Sequence, residues 1–413
     1  MATPPAPGNP ATAAQPASLP ALTSLRFFAA FAVLLLHYRD LVGPLPPLVF
    51  KAIVGGQYGV TFFFVLSGFI LTYNYQAWFA GGVGAPSYWR FQRLRLARIY
   101  PIYLVGLLLD TPWHLFERWQ AGQLAESGHV FWASWLLNLV GLQAWIPGVP
   151  YAMFWNTPAW SVSAEFFFYA AFPFVCARLA GAFRRPGAVL WAIGAVVVAQ
   201  TVLYAAVVWV LNYASQVGAQ TQYLITVYNP LLRFGEFLAG CLAGGWFLMV
   251  RAAASRGDGA GVGLLASERV RNLVIAVALA AVTARVLSPD YTGPSAAAWV
   301  FDVAIKYPFY IVPFTAIILA VASGRTFLSG LLERPWLVLL GEASYSLYII
   351  HWAGQSFLKM GFLGAAGTPF VHMLFLAGTV AASVWFYRVV ELPWRARLRG
   401  EPSRRPMLSS QPT

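Results

Sequence analysis

The sequence predicts an all-α integral membrane protein: a bundle of ten transmembrane helices with a re-entrant or interfacial segment near residues 128–146. Three observations carry this expectation. Of 413 residues, 59% are hydrophobic and only 10% are charged, where a soluble domain carries roughly 25% charged residues. Apolar runs long enough to cross a bilayer, which takes about 20 residues, recur along the whole chain. The basic residues, 27 Lys+Arg against 14 Asp+Glu, sit mostly in short segments between those runs, the positive-inside pattern of membrane proteins. In a soluble protein such an excess would suggest nucleic acid; here no nucleic-acid partner is expected. A soluble multidomain arrangement would have to hide every apolar run.

In chain order, residues 1–20 are rich in Ala and Pro, carry no charge and are expected to form a disordered tail. No basic segment precedes an apolar core there, so a cleaved signal peptide is not expected. The apolar runs are roughly 22–43, 56–75, 99–116, 128–146, 160–182, 187–212, 223–250, 270–288, 299–322, 336–358 and 369–391. Charge decides which of them cross. Placing Arg90, Arg93, Arg95 and Arg98 in the cytoplasm puts the N-terminus there as well. If run 128–146 crosses, Arg178, Arg184, Arg185 and every later basic loop fall outside. If it does not, those arginines lie inside, with Arg251, Arg256, Arg269, Arg271, Arg325, Arg334 and the segment from Arg388 to Arg405. Only Arg39, Lys51, Arg118, Arg285, Lys306 and Lys359 are then outside, and Arg233 is within a span. The sequence thus predicts ten crossings with both termini cytoplasmic. It predicts a membrane domain over 21–394, embedded in membrane lipids, and a basic cytoplasmic tail over 395–413. Cys176 and Cys241 fall inside apolar runs without metal-ligand spacing and read as packing residues; no metal is expected.

Ionisable groups inside spans are costly and are functional candidates by default. Arg26 and His37 lie in the first span. Eleven steps of about 100° amount to about three turns, so both face one side, roughly 16 Å apart along the axis. Histidine suits proton transfer near neutral pH, and Asp40, three residues on, is near enough in angle to orient the imidazole. The alternatives are a satisfied interfacial histidine and an arginine that snorkels to headgroups. Ser67 and Gly68 are small residues in F-F-F-V-L-S-G-F-I. They read either as a helix-packing notch or as part of a groove for an acyl chain or a pantetheine arm. The stretch R-L-R-L-A-R-I-Y-P, with Arg93, Arg95 and Arg98, reads as an interfacial topology signal or as a site for a phosphorylated cytoplasmic ligand, since guanidinium forks match phosphate oxygens. Glu165, in W-S-V-S-A-E-F-F-F-Y, needs a partner or a proton inside its aromatic run; it is a candidate acid/base or orienting group beside His37, or one half of a structural ion pair. Arg233 and Glu236, three apart, are expected to pair structurally. His351, in S-Y-S-L-Y-I-I-H, is expected near the level of His37, as catalytic support or structure. No P-loop or nucleophile elbow appears.

Five of these motifs occur in one order: Arg26 and His37 with ten residues between them, then 62–70, 93–101, 160–169 and 344–351. In that order they resemble the bacterial membrane acyltransferase-3 family, over about Leu22 to Trp394. The resemblance implies a ten-helix membrane fold in the bacterial inner membrane. It implies transfer of an acyl group, usually acetyl, from cytoplasmic acyl-CoA (acetyl-CoA as donor substrate) to hydroxyls of extracytoplasmic glycans or lipid-linked sugars. Some members carry a fused C-terminal hydrolase-like domain; none is read after residue 394, so transfer is expected to proceed without one or with a partner's. The expected mechanism places the donor phosphates near Arg93, Arg95 and Arg98 and the pantetheine arm past Ser67 and Arg26. His37 is then the general base, with Asp40 or Glu165 orienting it and His351 in support. The rival class is a proton-coupled transporter or flippase, since intramembrane His, Glu and Arg serve transport too. Against it, the two halves show no matching pair of Gly/Pro-broken spans.

Overall fold

The computed structural model describes residues 17–41, 44–124, 128–147, 153–182, 185–213, 217–257, 265–288, 304–359 and 369–399. The expected tails over 1–20 and 395–413 lie largely outside the described residues, and so does Arg184. Among the described residues every regular element is helical. α1 (Pro20–Tyr38) starts on a proline, whose missing N–H is not needed in a first turn. α2 (Pro47–Val54) and α3 (Gly59–Phe79) join through a 3₁₀ turn into one 33-residue apolar rod. α4 (Ala85–Gln120) is a continuous helix of 36 residues, about 54 Å long. The arginine-rich stretch, expected at the inner interface, falls in the first half of this long helix. α5 (His129–Leu139) has 11 residues and measures about 16 Å, half of the roughly 30 Å hydrocarbon thickness.

α6 (Trp160–Leu179) and α7 (Pro186–Tyr213) follow. The run over 223–250 is not one helix. α8 (Ala219–Tyr228) stops at Asn229, and α9 (Phe234–Ser255) begins after a turn. Pro230 has no N–H and drives Asn229 out of the helical region; Asn229 Oδ1 accepts the Leu231 N–H instead, at 3.0 Å. α10 (Glu268–Leu287), α11 (Pro308–Ala322), α12 (Ser329–Leu332), α13 (Pro335–Glu342) and α14 (Ser344–Lys359) come next. α15 (Pro369–Phe386) passes through a π turn at Tyr387–Glu391 into α16 (Leu392–Arg399). The boundary expected between 394 and 395 thus falls inside α16. Among the described residues eight helical stretches are long and apolar enough to cross a membrane, so the chain is a multi-pass membrane protein.

Hydrogen bonds sort the helix ends into two layers. In one layer Ser24 Oγ donates to the Leu332 carbonyl (2.5 Å), Arg251 Nη1 to the Tyr73 hydroxyl (3.1 Å) and Arg271 Nε to the Arg325 carbonyl (3.0 Å). In the opposite layer Lys51 Nζ donates to the Leu287 carbonyl (3.4 Å), Tyr38 and His372 share a bond of 2.7 Å, and Ser356 Oγ donates to Asp110 Oδ1 (3.1 Å).

Helices in lipid gain little from hydrophobicity and associate through close packing. The α3–α9 pair shows this. Gly68 faces the Phe237 carbonyl, while Gly240 and Gly244, four apart on α9, face the Val65 and Phe69 carbonyls. A Cβ at any of these positions would collide with backbone rather than with a flexible side chain. Gly240→Ala is expected to cost about 1–3 kcal/mol, seen as a lower thermal midpoint in detergent; a midpoint equal to the wild type would mean the pair does not need this approach. Beside it, Phe64, Phe168 and Phe237 pack edge-to-face and stacked, with centroids 5.0 and 4.9 Å apart.

Candidate active site

A partly open cavity with about 770 Å³ of empty space, its mouth included, lies between α1, α3, α4, α6 and α14. Val60 and Leu71 both line it, so it follows α3 for about 16 Å. Arg26, Arg95, Arg98 and Tyr169 stand toward the Ser24 layer; Ser161 and Tyr348 close the other end. Helical spacing on α1, α4 and α6 turns the polar groups inward while the aromatic residues between them pack outward.

The arginine stretch divides by face. Arg95 is buried, its Nη2 2.7 Å from the Tyr75 hydroxyl and its guanidinium 4.9 Å from the centre of the Tyr75 ring. Arg98 lines the cavity, and Arg93 is exposed and lines no part of it. Among the described residues no protein hydrogen bond reaches the guanidinium of Arg26 or Arg98. Ser67 faces the cavity while its neighbour Gly68 forms the α3–α9 contact. The two readings of that dipeptide therefore fall on adjacent residues on different helix faces.

Glu165 accepts a hydrogen bond from the Tyr169 hydroxyl at 2.8 Å and stands in the field of Arg26, Arg98 and Arg95. Its place is with the arginines; among the described residues it makes no hydrogen bond to His37. Asp40 does not orient His37 in this structure either. α1 ends at Tyr38, the chain turns away through the 3₁₀ turn Arg39–Leu41, and Asp40 is exposed with Oδ1 3.3 Å from Arg39 Nε. The angular argument for Asp40 required the helix to continue.

The partner of His37 is His351. His37 Nδ1 and His351 Nε2 are 3.0 Å apart, and His351 is fully buried. His351 Nδ1 lies 3.2 Å from the Leu347 carbonyl. A carbonyl only accepts, so in the neutral pair Nδ1–H of His351 donates to it and Nε2 carries the lone pair. In that tautomer His37 Nδ1–H donates to the lone pair and His37 Nε2 carries its own lone pair, while the Val33 backbone also hydrogen-bonds the His37 ring. Trp352 packs edge-on against His37, with ring centres 5.3 Å apart. The ring of Tyr348, at the end of the cavity, is 6.0 Å from that of His351. Tyr348 donates to the Pro158 carbonyl at 2.9 Å and accepts from Ser161 Oγ at 2.9 Å. The histidine pair therefore sits about one helical turn beyond the cavity's closed end.

Asp110 was not singled out in the sequence, although an aspartate inside the apolar run 99–116 is itself a signal. It is fully buried. Its Oδ2 accepts from the Asn156 backbone N–H (2.7 Å) and from His114 Nε2 (3.0 Å), and its Oδ1 from Ser356. Asn156, held at a φ of +36°, donates from Nδ2 to the Ile349 carbonyl at 3.1 Å. This hub ties α4 to the entrance of α6 and to α14, the helices that carry Glu165 and His351.

Residues 19–388 match the Acyltransferase domain family Acyl_transf_3. The chain is 30% identical to the acyltransferase MdmB of Streptomyces mycarofaciens over 95% of each chain. It is 28% identical over 99 residues to a protein of Staphylococcus aureus strain COL provisionally named an O-acetyltransferase, a stretch covering 24% of this chain and 16% of that one. No solved structure matches the chain. A membrane bundle with arginines and Glu165 lining its cavity and a histidine pair close by, matched by this family over nearly its whole length, belongs to the acyltransferase-3 family and is an acyltransferase for groups other than aminoacyl groups.

Proposed function

We propose that the protein is an O-acyltransferase of the bacterial inner membrane. It takes an acyl group, acetyl foremost, from cytoplasmic acyl-CoA and passes it to a hydroxyl of an extracytoplasmic glycan or lipid-linked sugar. The observation that carries this reading is the cavity, with guanidiniums toward one end and the His37–His351 pair just beyond the other.

Sidedness follows from a count of ten crossings. The eight apolar stretches cross, together with α4 and the α13–α14 pair; α5 is too short and lies at the outer side. The Ser24 layer then faces the cytoplasm with both termini. In support, Arg251, Arg271 and Arg325 gather in that layer, as positive-inside bias requires.

In the proposed reaction Arg26, Arg95 and Arg98 bind phosphates of the donor, and the cavity past Ser67 takes its pantetheine arm, bringing the thioester toward Tyr348. The acceptor hydroxyl comes from the outer side. His37 Nε2 removes its proton as the oxygen attacks the thioester carbonyl. The C–S bond breaks on collapse of the tetrahedral intermediate, and His37 returns the proton to the departing thiolate. His351 holds the His37 ring and accepts from its Nδ1–H throughout.

Arg98→Gln is expected to weaken acetyl-CoA binding to purified protein by about 10-fold, the worth of a charge-assisted hydrogen bond. Arg93→Gln is expected to change it little, because Arg93 faces away from the cavity. Calorimetric titration checks both, and equal affinities in wild type and Arg98→Gln would count against the donor site. Mass spectrometry of surface glycans from a deletion strain tests the acceptor.

A further inference from the structure

A second cavity lies on the opposite face of α3 from the first. It is partly open, with about 730 Å³ of empty space, its mouth included, and α3, α6, α7 and α9 wall it. Along α9 it runs from Cys241 to Met249, about 12 Å. That is less than half of the roughly 30 Å hydrocarbon thickness. It lies in the half next to the Ser24 layer, since Thr72 and Gln76 line it beside Tyr73, whose hydroxyl meets Arg251 in that layer.

α6 and α7 are consecutive in the chain. Among the described residues each packs against α9, yet they do not pack along one another. The cavity occupies the fissure they leave, with Leu179 on one side and Val189 on the other. Phe174 and Trp191, exposed on α6 and α7, mark both helices as bordering lipid.

The walls suit hydrocarbon. Leu179, Val189, Leu242, Leu248 and Met249 line the cavity. Its polar atoms face one another: Cys176 Sγ lies 3.9 Å from the Gln76 carbonyl, and the Cys241 thiol is beside Thr72. Water held inside needs two to four polar partners and finds few, while an empty space forfeits dispersion contacts on every wall. At the ends of α6 and α7 the chemistry changes. Arg178, on the last turn of α6, and Arg185, just before α7, are exposed. No acidic residue occurs between Asp40 and Asp110 or between Glu165 and Glu236, so α3, α7 and this end of α6 bring none. Glu236, at the other end of α9, is paired with Arg233. An apolar slot beside a basic rim matches the two parts of an anionic phospholipid.

We propose that this fissure binds one hydrocarbon chain of an anionic phospholipid, with the headgroup phosphate at Arg178 and Arg185. On the sidedness given above, the lipid belongs to the cytoplasmic leaflet. Its chain supplies the packing that α6 and α7 do not give one another, and so ties α7 to the bundle. Cys176 and Cys241, expected as packing residues, are walls of this lipid site. Neither the donor nor the acceptor of acyl transfer enters the argument.

Cys176 and Cys241 are the chain's only cysteines, so maleimide labelling followed by peptide mass spectrometry reads the site directly. The purified full chain, stripped of lipid in detergent, is labelled alone, with dioleoyl phosphatidylglycerol and with dioleoyl phosphatidylcholine. With phosphatidylglycerol at about ten times its dissociation constant both thiols should react about 10-fold more slowly, and phosphatidylcholine should protect less. Native mass spectrometry then counts the phosphatidylglycerol retained per chain. A Cβ at Gly245, which lines the cavity, meets open space. Gly245→Leu should therefore fold and retain one phosphatidylglycerol fewer than wild type. Arg178→Gln/Arg185→Gln should lose about 10-fold in affinity for phosphatidylglycerol and with it the preference over phosphatidylcholine. Equal retention by wild type and folded Gly245→Leu overturns the site, whatever the thiols do. Equal protection of wild type by the two lipids overturns the anionic headgroup. Protection by acetyl-CoA and not by phosphatidylglycerol overturns the proposal and assigns the cavity to the donor.

Discussion

Replacing His37 with alanine is expected to lower the rate of acyl transfer by about 10²- to 10⁴-fold, the usual worth of a positioned general base, with membrane insertion and thermal midpoint close to wild type. A hydroxyl is a poor nucleophile until its proton leaves, and His37 Nε2 is the nitrogen that carries the lone pair in the tautomer set through His351 and Leu347. His37 is only partly buried, so truncation leaves no large sealed void and folding should survive. The effect should appear in kcat, with little change in the donor KM, because the guanidiniums proposed to bind the donor are on the far side of the cavity. His351→Ala should act in the same direction but more weakly, since it releases the ring without removing the base. Wild-type acylation by a His37→Ala protein that inserts normally would sink the assignment.

Replacing Arg233 with methionine is expected to destabilise the fold by about 3–5 kcal/mol, the penalty for leaving one member of a buried ion pair alone. Arg233 and Glu236 are 1% and 0% exposed, which places the pair beyond rescue by solvent. The guanidinium meets the carboxylate twice, through Nε at 2.9 Å and Nη2 at 3.0 Å, and also donates to the Val227 carbonyl and Thr61 Oγ1, each at 3.0 Å. It lies 4.3 Å from the centre of the Tyr307 ring. Arg233 therefore ties the turn after α8 to α3 and α11. The double variant Arg233→Met/Glu236→Gln should recover much of the loss, because no charge is left unpaired. Unfolding in detergent followed by tryptophan fluorescence measures both, and a single variant as stable as wild type would refute the argument. Acyl transfer per folded molecule should stay near wild type in either variant, because neither residue lines the cavity.

What was legible from the sequence follows range of interaction. The helices over 160–179, 186–213 and 268–287 were readable because a span must be apolar for its whole length, a property of consecutive residues. The pairing of Arg233 with Glu236 was readable because three residues on a helix are neighbours whatever surrounds them. The break at Asn229–Pro230 was also local and was hidden only by the hydrophobicity on both sides. The residue types left a transporter open beside an enzyme, since His, Glu and Arg in a membrane serve either; full-length similarity to acyltransferases decides for the enzyme. The arginines on α4 illustrate the limit: Arg93, Arg95 and Arg98 look alike in the sequence, yet Arg93 is exposed while Arg95, bound to Tyr75, and Arg98 line the cavity.

By itself the sequence determined that this chain is a multi-pass helical membrane protein with ionisable groups at chosen depths, because hydrophobic length and charge placement act along the chain. Only the tertiary structure decided the partners. His37 meets a histidine 314 positions away rather than Asp40, three away, because α1 ends at Tyr38 and α14 packs against it. Glu165 meets arginines rather than that histidine, and Arg395 belongs to the bundle rather than to a tail. Each of these pairings depends on which helix faces meet, and that is set by packing among helices distant in sequence, where no spacing rule reaches.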